Sequence, residues 1–295
     1  MERVVSPAEA RQAIAEARRE AKTIGLVPTM GALHEGHLAL VRASCRRAGY
    51  TAVSIFVNPT QFGEGEDFDA YPRDMARDLE LLAAEGVDLV FTPGVEHMYP
   101  AGSSIAVDPG DLAERWEGAI RPAHFRGVAT VVAKLFNITT PDLAFFGEKD
   151  YQQLKIVQRM AADLDMAVTV VGCPIVRDQD GVALSSRNAY LTGEEAAQAI
   201  ALCEALEAAA EAVAWGERDA AAVEQTMAEE VSAFRLVELD YAVVVDPRTL
   251  EQVTRIEGPT RALIAVTLGD TRLIDNAALE PPPVRVEDEK DAQEE

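Results

Sequence analysis

The sequence predicts an α/β protein: a doubly wound parallel sheet over residues 1–174, a smaller C-terminal α+β domain over 175–280, and a disordered acidic tail over 281–295. Three observations predict it. From residue 23 to 171, short apolar strands alternate with segments whose apolar residues fall at helical spacing, the grammar of βαβ units. The polar clusters follow directly after strands, where an open parallel sheet gathers its ligands. After Cys173 the order changes to helices followed by strands, which marks off a second unit.

Taken in order, residues 7–22 are an Ala/Glu/Arg-rich helix with Ile14 on its apolar side. Residues 23–27 read as a short buried strand that turns through Pro28 to Leu33 into a helix. From Leu38 the apolar residues fall at Leu38, Val41, Cys45 and Ala48, and Gly49 ends the run. Residues 51–57 are the second strand, leading into Asn58-Pro59-Thr60-Gln61-Phe62. A loop of glycines and acids over 63–69 precedes a helix that starts at Pro72, carries Leu79, Leu82 and Ala83, and stops at Gly86. Residues 87–91 are the third strand, and 104–107 read as another short one. A helix over 127–136 carries Val128, Val131, Val132 and Leu135. Residues 143–146 form a strand ending in Gly147-Glu148-Lys149-Asp150, followed by a helix over 151–164 and a strand over 168–171. Beyond a turn-rich connector (174–181) and a mobile loop (182–188) come Ala-rich helices at 193–214 and 219–234. Strands follow at 239–245, 262–268 and 271–276. The last fifteen residues hold six acidic and two basic side chains and almost nothing apolar, hence the tail.

A chain of 295 residues can bury a substantial core. With 27 basic and 50 acidic residues its net charge is −23. Such a surface repels nucleic acid and anionic membranes, so an anionic ligand must be met by a local cationic pocket. Cys45, Cys173 and Cys203 sit in apolar runs without paired spacing, as buried thiols of a reducing compartment do. No signal-type segment or membrane-length apolar run is present. A soluble, cytoplasmic protein that binds neither nucleic acid nor membrane is expected.

Two of the four histidines, His34 and His37, fall in one turn just after a strand. A helix start collects unpaired N–H groups and positive dipole charge, which suits a triphosphate. Residues three apart share a face, and Gly36 between them lets a ligand approach the backbone. A helix cap or a stray metal is the plainer alternative. No Cys-x-x-Cys or clustered His/Cys set supplies further ligands, so no protein-held metal is expected. Lys149 just past a strand end is a phosphate-binding cation or a solvated turn lysine. Ser185-Ser186-Arg187, two hydroxyls beside a guanidinium, favours phosphate. Together the set suits a nucleoside triphosphate attacked at its α-phosphorus, with imidazoles and cations stabilising the departing pyrophosphate. Asn58, Gln61 and Gln153 are neutral and lie near strand ends. Gln61 and Gln153 bracketing a crevice suit a small polar organic or hydroxy acid.

His34-Glu35-Gly36-His37 resembles the HxGH signature of the nucleotidyltransferase superfamily, and Ser185-Ser186-Arg187 stands where its second signature loop lies. From Val4 to Leu279 the chain resembles the pantoate–β-alanine ligase family. The matching blocks run from Pro28 to His37, Phe56 to Phe62, Phe145 to Gln153 and Ser185 to Asn188. The resemblance implies a Rossmann-like nucleotide-binding domain and an enzyme of coenzyme A biosynthesis. Pantoate attacks ATP to give pantoyl-adenylate and pyrophosphate; β-alanine then attacks the acyl carbon, releasing AMP and pantothenate. It further implies that Met30, Gly31, Ala32, Leu33, His34, Glu35, Gly36 and His37 line the ATP site. His37 would be the proton donor and His34 a phosphate contact. Gly147, Glu148, Lys149 and Asp150 would hold ATP, with Lys149 on the phosphates and Asp150 toward the ribose. Val176 would meet adenine, and Leu184, Ser185, Ser186 and Arg187 would close over the nucleotide. Gln61 and Gln153 would hold pantoate, and Gln61 also β-alanine. Mg2+ would accompany ATP, and the chain would form a homodimer. Leu184 departs from the family's common Met, a change of little volume. A nucleotidyltransferase that stops after AMP or CMP transfer, and a nucleotide-binding regulatory module, are the rival readings. The charge of −23 disfavours a tRNA synthetase.

Overall fold

The computed structural model describes residues 1–282; the tail read from the sequence at 281–295 lies, from residue 283 onward, outside them. The chain begins with β1 (Glu2–Val4) and α1 (Pro7–Arg19). Ser6 caps α1 reciprocally: its hydroxyl accepts from the Glu9 N–H at 3.2 Å, and the Glu9 carboxylate accepts from the Ser6 N–H at 2.9 Å. Then follow β2 (Ile24–Thr29), α2 (Glu35–Arg47), β3 (Tyr50–Ile55), α3 (Met75–Ala84), β4 (Leu89–Phe91) and the single turns α4 (Val95–Met98) and α5 (Glu117–Ile120). α6 (His124–Thr139), β5 (Leu143–Gly147), α7 (Tyr151–Asp163) and β6 (Thr169–Cys173) complete the first sheet.

That sheet has six strands, all parallel, in the order β1-β4-β3-β2-β5-β6. Its strands are apolar on both faces because helices cover both. Ile24, Leu26, Ala144 and Phe146 pack with Ile14 of α1, Val128 and Leu135 of α6 and Val157 of α7. On the opposite face Val27, Val53 and Phe145 pack with Val41 of α2 and Leu82 of α3. The chain winds outward from β2 in one direction and from β5 in the other. The topological switch therefore falls between these two neighbours, and the crevice past their carboxyl ends is where such a sheet takes a ligand.

The remainder holds α8 (Gly193–Gln198), α9 (Ala201–Ala214), α10 (Ala220–Ser232) and an antiparallel sheet of β7 (Val237–Val245), β8 (Thr260–Leu268) and β9 (Thr271–Leu279) in that order. Leu206, Val213, Val223 and Met227 of α9 and α10 cover one sheet face. The other carries Val243, Val245 and Leu263 against Tyr151 of α7.

Several expected elements differ. Residues 104–107 form no strand: the Val107 N–H bonds the Thr130 hydroxyl of α6 at 2.9 Å, and Ile105 is left 90% exposed. The helix expected over 193–214 is two: Ala199 still donates to the Glu195 carbonyl at 3.0 Å, and the hydrogen-bond ladder lapses just after it, although Ala199 and Ile200 keep helical angles. α2, by contrast, begins at Glu35 with His34 as its cap and His37 in its first turn, where the sequence placed the two histidines. Strand β1 and the turns α4 and α5 have too few residues to show periodicity.

Candidate active site

At the end of β2 the chain turns through Gly31 and Ala32, both at positive φ (87 and 51). Buried Asp78 of α3 ties this turn down, accepting the N–H groups of Ala32 at 2.9 Å and Leu33 at 2.8 Å. His34 Nδ1 accepts from the Gly36 N–H at 3.1 Å, and His37 Nδ1 accepts from the His34 N–H at 3.4 Å. The N–H groups of Ala32 and Leu33 before the helix thus go to Asp78, those of His34 and Gly36 to the ring nitrogens, and those of His37 and Leu38 to the His34 carbonyl. Expected as free backbone donors for a phosphate, these groups are satisfied within the protein, so side chains carry most of that work.

The same two bonds set the tautomers. An Nδ1 that accepts is unprotonated, so each neutral ring carries its proton on Nε2. The rings sit 4.1 Å apart, centre to centre. Burial, then the neighbouring His34, pushes the His37 pKa down to about 3. Burial and the Lys149 charge lower that of His34. Both rings are neutral donors at pH 7. A side chain on Gly36 would meet the His34 ring at 2.9 Å, so the glycine keeps this ring in its capping position.

At the end of β5 the 3-10 turn Glu148–Asp150 presents Lys149 and Asp150, with Lys149 Nζ 3.5 Å from Asp150 Oδ1. Burial opposes ionisation of Asp150, yet Lys149 and Arg187 together hold its carboxyl below the ordinary range. From the connector, Leu184 donates its N–H to the Val176 carbonyl at 3.0 Å, bringing these two expected nucleotide contacts together. Ser185 then caps the turn Ser186–Tyr190 through the Arg187 N–H. Arg187 forms a two-point ion pair with Asp67, Nε at 3.2 Å and Nη2 at 3.0 Å.

Gln61 lies on the 3-10 turn Pro59–Gln61, which nests against α6 at Gly127. A Cβ there would come within 2.3 Å of the Thr60 carbonyl oxygen. Asn58 Nδ2 donates to Gln61 Oε1 at 3.1 Å, leaving the Gln61 NH2 turned toward Met30. The Gln61 carbonyl accepts from Arg121 Nη2 at 3.3 Å and from His124 Nδ1 at 2.9 Å. Burial, then Arg121, pushes the His124 pKa down to about 4, so this ring too is neutral.

These groups enclose two joined cavities. The inner one, about 220 Å³, is lined by His34, Gly36, His37, Gly147, Val176, Leu184 and Ser186. Its deep end is apolar, formed by Phe56, Val128, Val131, Val132, Leu135 and Phe146. The outer one, about 520 Å³, opens past Glu66, Asp67, Glu117, Arg121, His124 and Arg272. Met30, Gln61, Lys149, Asp150, Gln153, Ser185 and Arg187 line both. Of the expected ATP contacts, Gly31, Ala32, Leu33, Glu35 and Glu148 do not face either cavity. Leu33 is core, Glu35 pairs with Arg42, and Glu148 pairs with Arg261. Sequence reasoning passed over Arg121, His124, Glu117 and Arg272, whose common feature is spatial. The one linear hint was the chain's fourth histidine, His124, at the start of an apolar helix. Among the described residues no three His, Cys, Asp or Glu side chains converge as they would around a metal ion. None of the described helices is long and apolar enough to cross a membrane.

The model of the pantoate-beta-alanine ligase family matches residues 2–278. Among curated relatives, the pantothenate synthetase of Rubrobacter xylanophilus is 56% identical over 282 residues, covering 93% of this chain and 97% of that one. That of Moorella thermoacetica is 50% identical over 280 residues, covering 95% and 99%. The solved pantothenate synthetase of Thermus thermophilus superposes with a TM-score of 0.90 at 46% identity, over 95% of this chain and 100% of that one. A pantoate-beta-alanine ligase from Francisella tularensis, complexed with beta-gamma ATP and beta-alanine, superposes with a TM-score of 0.77 at 31% identity, over 94% and 97%.

Proposed function

The chain belongs to the pantoate-beta-alanine ligase family, and on that footing we propose that it joins pantoate to β-alanine through a pantoyl-adenylate, converting ATP to AMP and pyrophosphate. One juxtaposition carries the reading. Two neutral Nε2–H imidazoles and Lys149 line the same cavity as Gln61, Gln153 and an apolar wall of valines, Leu135, Phe56 and Phe146. A branched aliphatic hydroxy acid fits such a pocket by shape, and two neutral amides hold its polar groups without drawing charge from its carboxylate.

In the first step a pantoate carboxylate oxygen attacks the α-phosphorus, and the bond from that phosphorus to the α–β bridging oxygen breaks. Negative charge moves onto pyrophosphate, where Lys149, His34 and His37 meet it. The family resemblance implied a proton donor at position 37. With its pKa near 3, His37 acts instead through the Nε2–H hydrogen bond, preorganised by its Nδ1 contact. Arg187 joins by exchanging Asp67 for phosphate oxygens. Asp150 faces the ribose, and Val176 and Leu184 the adenine. In the second step the neutral amine of β-alanine, entering by the outer cavity past Gln61, attacks the acyl carbon. The bond to AMP breaks, and the amine's proton leaves with solvent. Mg2+ would accompany the triphosphate, held by phosphate oxygens and water, and would offset part of the charge that builds on pyrophosphate. The second unit, residues 175–280, closes over the site. The working state is a cytoplasmic homodimer, for which light scattering should give twice the 31.8 kDa chain mass.

The test is isotope exchange between ATP and pyrophosphate. It should require pantoate and proceed without β-alanine, and adding β-alanine should yield AMP and pantothenate by mass spectrometry. Exchange indifferent to pantoate would return the plain nucleotidyltransferase.

A further inference from the structure

We propose that Asp275 and Asn276, neighbours on β9, are positioning residues for the nucleotide: Asp275 holds the loop that leads into residues 184–187, and Asn276 holds the turn that carries Lys149 and Asp150. The proposal rests on the ATP-dependent reading above. It concerns how a strand that contributes none of the expected nucleotide contacts fixes the geometry of the segments after β5 and β6.

Successive side chains on a strand point to opposite faces. Asp275, 3% exposed, lies on the face that α9 and α10 cover, and there it receives Arg177. Arg177 Nη1 reaches Asp275 Oδ2 at 2.6 Å and Nη2 reaches Oδ1 at 3.1 Å. The same Nη1 donates to the Gly181 carbonyl at 2.8 Å, closing the turn that ends where Arg177 pairs with Ala183. The next residue, Leu184, is bonded to Val176, and Ser185 to Arg187 follow at once. Asn276, 2% exposed, points the other way. Its Nδ2 donates to two carbonyls, those of Glu148 and Lys149, each at 2.9 Å. Arg261 Nε donates to its Oδ1 at 2.7 Å, which fixes the end of the amide that faces the turn. Arg261 is held in turn 4.2 Å over the Tyr151 ring.

The two nucleotide-gripping segments leave neighbouring strands, paired up to Gly147 of β5 and Cys173 of β6, and beyond that pairing they diverge and need a common tie. One dipeptide supplies it, and its cross-strand partners Ile264 and Leu263 lie on β8, the central strand of its sheet. A site supported from a strand interior is held more tightly than one supported from a loop.

Asn276→Asp keeps the shape and turns a carboxylate oxygen against two carbonyls. Asp275→Asn keeps the shape and removes the charge that faces Arg177. Exchange kinetics and the thermal midpoint are measured on the full chain. A misplacement of roughly 1 Å can cost about 100-fold, so Asn276→Asp should lower kcat/KM for ATP by about 10- to 100-fold. In the complete reaction its KM for β-alanine should stay at the parent's value. Asp275→Asn should act mainly on KM for ATP, since it loosens a gripping loop and leaves the Lys149 turn in place. Should Asn276→Asp fail to fold, Arg261→Met frees the same amide without burying a charge, and a smaller loss in the same direction is expected. A folded Asn276→Asp or Arg261→Met with the parent's kcat/KM for ATP overturns the proposal. So do equal losses for all three substrates, which mark general destabilisation. A parent without pantoate-dependent exchange overturns the underlying reading instead.

Discussion

His37 is a neutral ring whose acceptor nitrogen is already engaged, and that decides what removing it should do. His37→Ala should lower turnover by on the order of 100- to 1,000-fold, the usual cost of losing one preorganised transition-state donor. Turnover within threefold of the parent would remove His37 from the mechanism. Burial also makes the rings report on stability. The folded pKa values of about 3 for His37 and about 4 for His124 lie below the ordinary 6.5. Between those limits the unfolded chain binds more protons. Their effect is absent above pH 6.5 and grows as the pH falls, to on the order of 2 kcal/mol per ring at pH 5. The thermal midpoint of the double variant His37→Gln/His124→Gln should therefore fall less between pH 7 and 5 than the parent's. Equal falls would contradict the burial argument. His34, His37 and Lys149 were legible in the sequence because residue type and position after a strand sufficed. Arg121, His124 and Asn276 were not, because what makes each of them matter is a carbonyl far away in the chain.

The element that differs most from its sequence reading is the loop between β3 and α3. The sequence marked it only as a loop of glycines and acids, yet Asp67 spans the site to engage Arg187, and Glu66 engages Arg121 at 2.5 Å. Arg187 therefore has to leave one partner to take another. Asp67→Asn removes the competing charge, and binding of a non-hydrolysable ATP should tighten by up to about fivefold, the worth of a half-exposed ion pair. Calorimetric titration would check it; weaker binding would mean that Asp67 supports the loop more than it competes with the ligand. The strands and helices themselves were well marked, since both periodicities run long enough to read. Their ends were less so. β6 runs on to Cys173, two residues past the strand read at 168–171, and residues 104–107 form no strand, the Val107 N–H going to the Thr130 hydroxyl of α6.

At the scale of the whole molecule, the order of elements made the parallel sheet and its ligand-bearing edge predictable. How the second unit sits against it was not, since that follows from scattered pairs such as Trp116 Nε1 with the Leu250 carbonyl and Tyr151 OH with the Pro247 carbonyl. The cavity's cations are each balanced by an acid at hand: Lys149 by Asp150, Arg187 by Asp67 and Arg121 by Glu66. Little positive field is then left to reach outward through a chain of net charge −23. The consequence is a reversed kinetic salt effect. A polyanionic nucleotide is repelled on approach, so raising the ionic strength toward about 0.15 M, where fields decay over roughly 8 Å, should speed its capture. Stopped-flow binding of a fluorescent ATP analogue should show that rise, and a rate that only falls with salt would argue against it. Zwitterionic β-alanine, carrying no net charge, should arrive equally fast at any salt concentration.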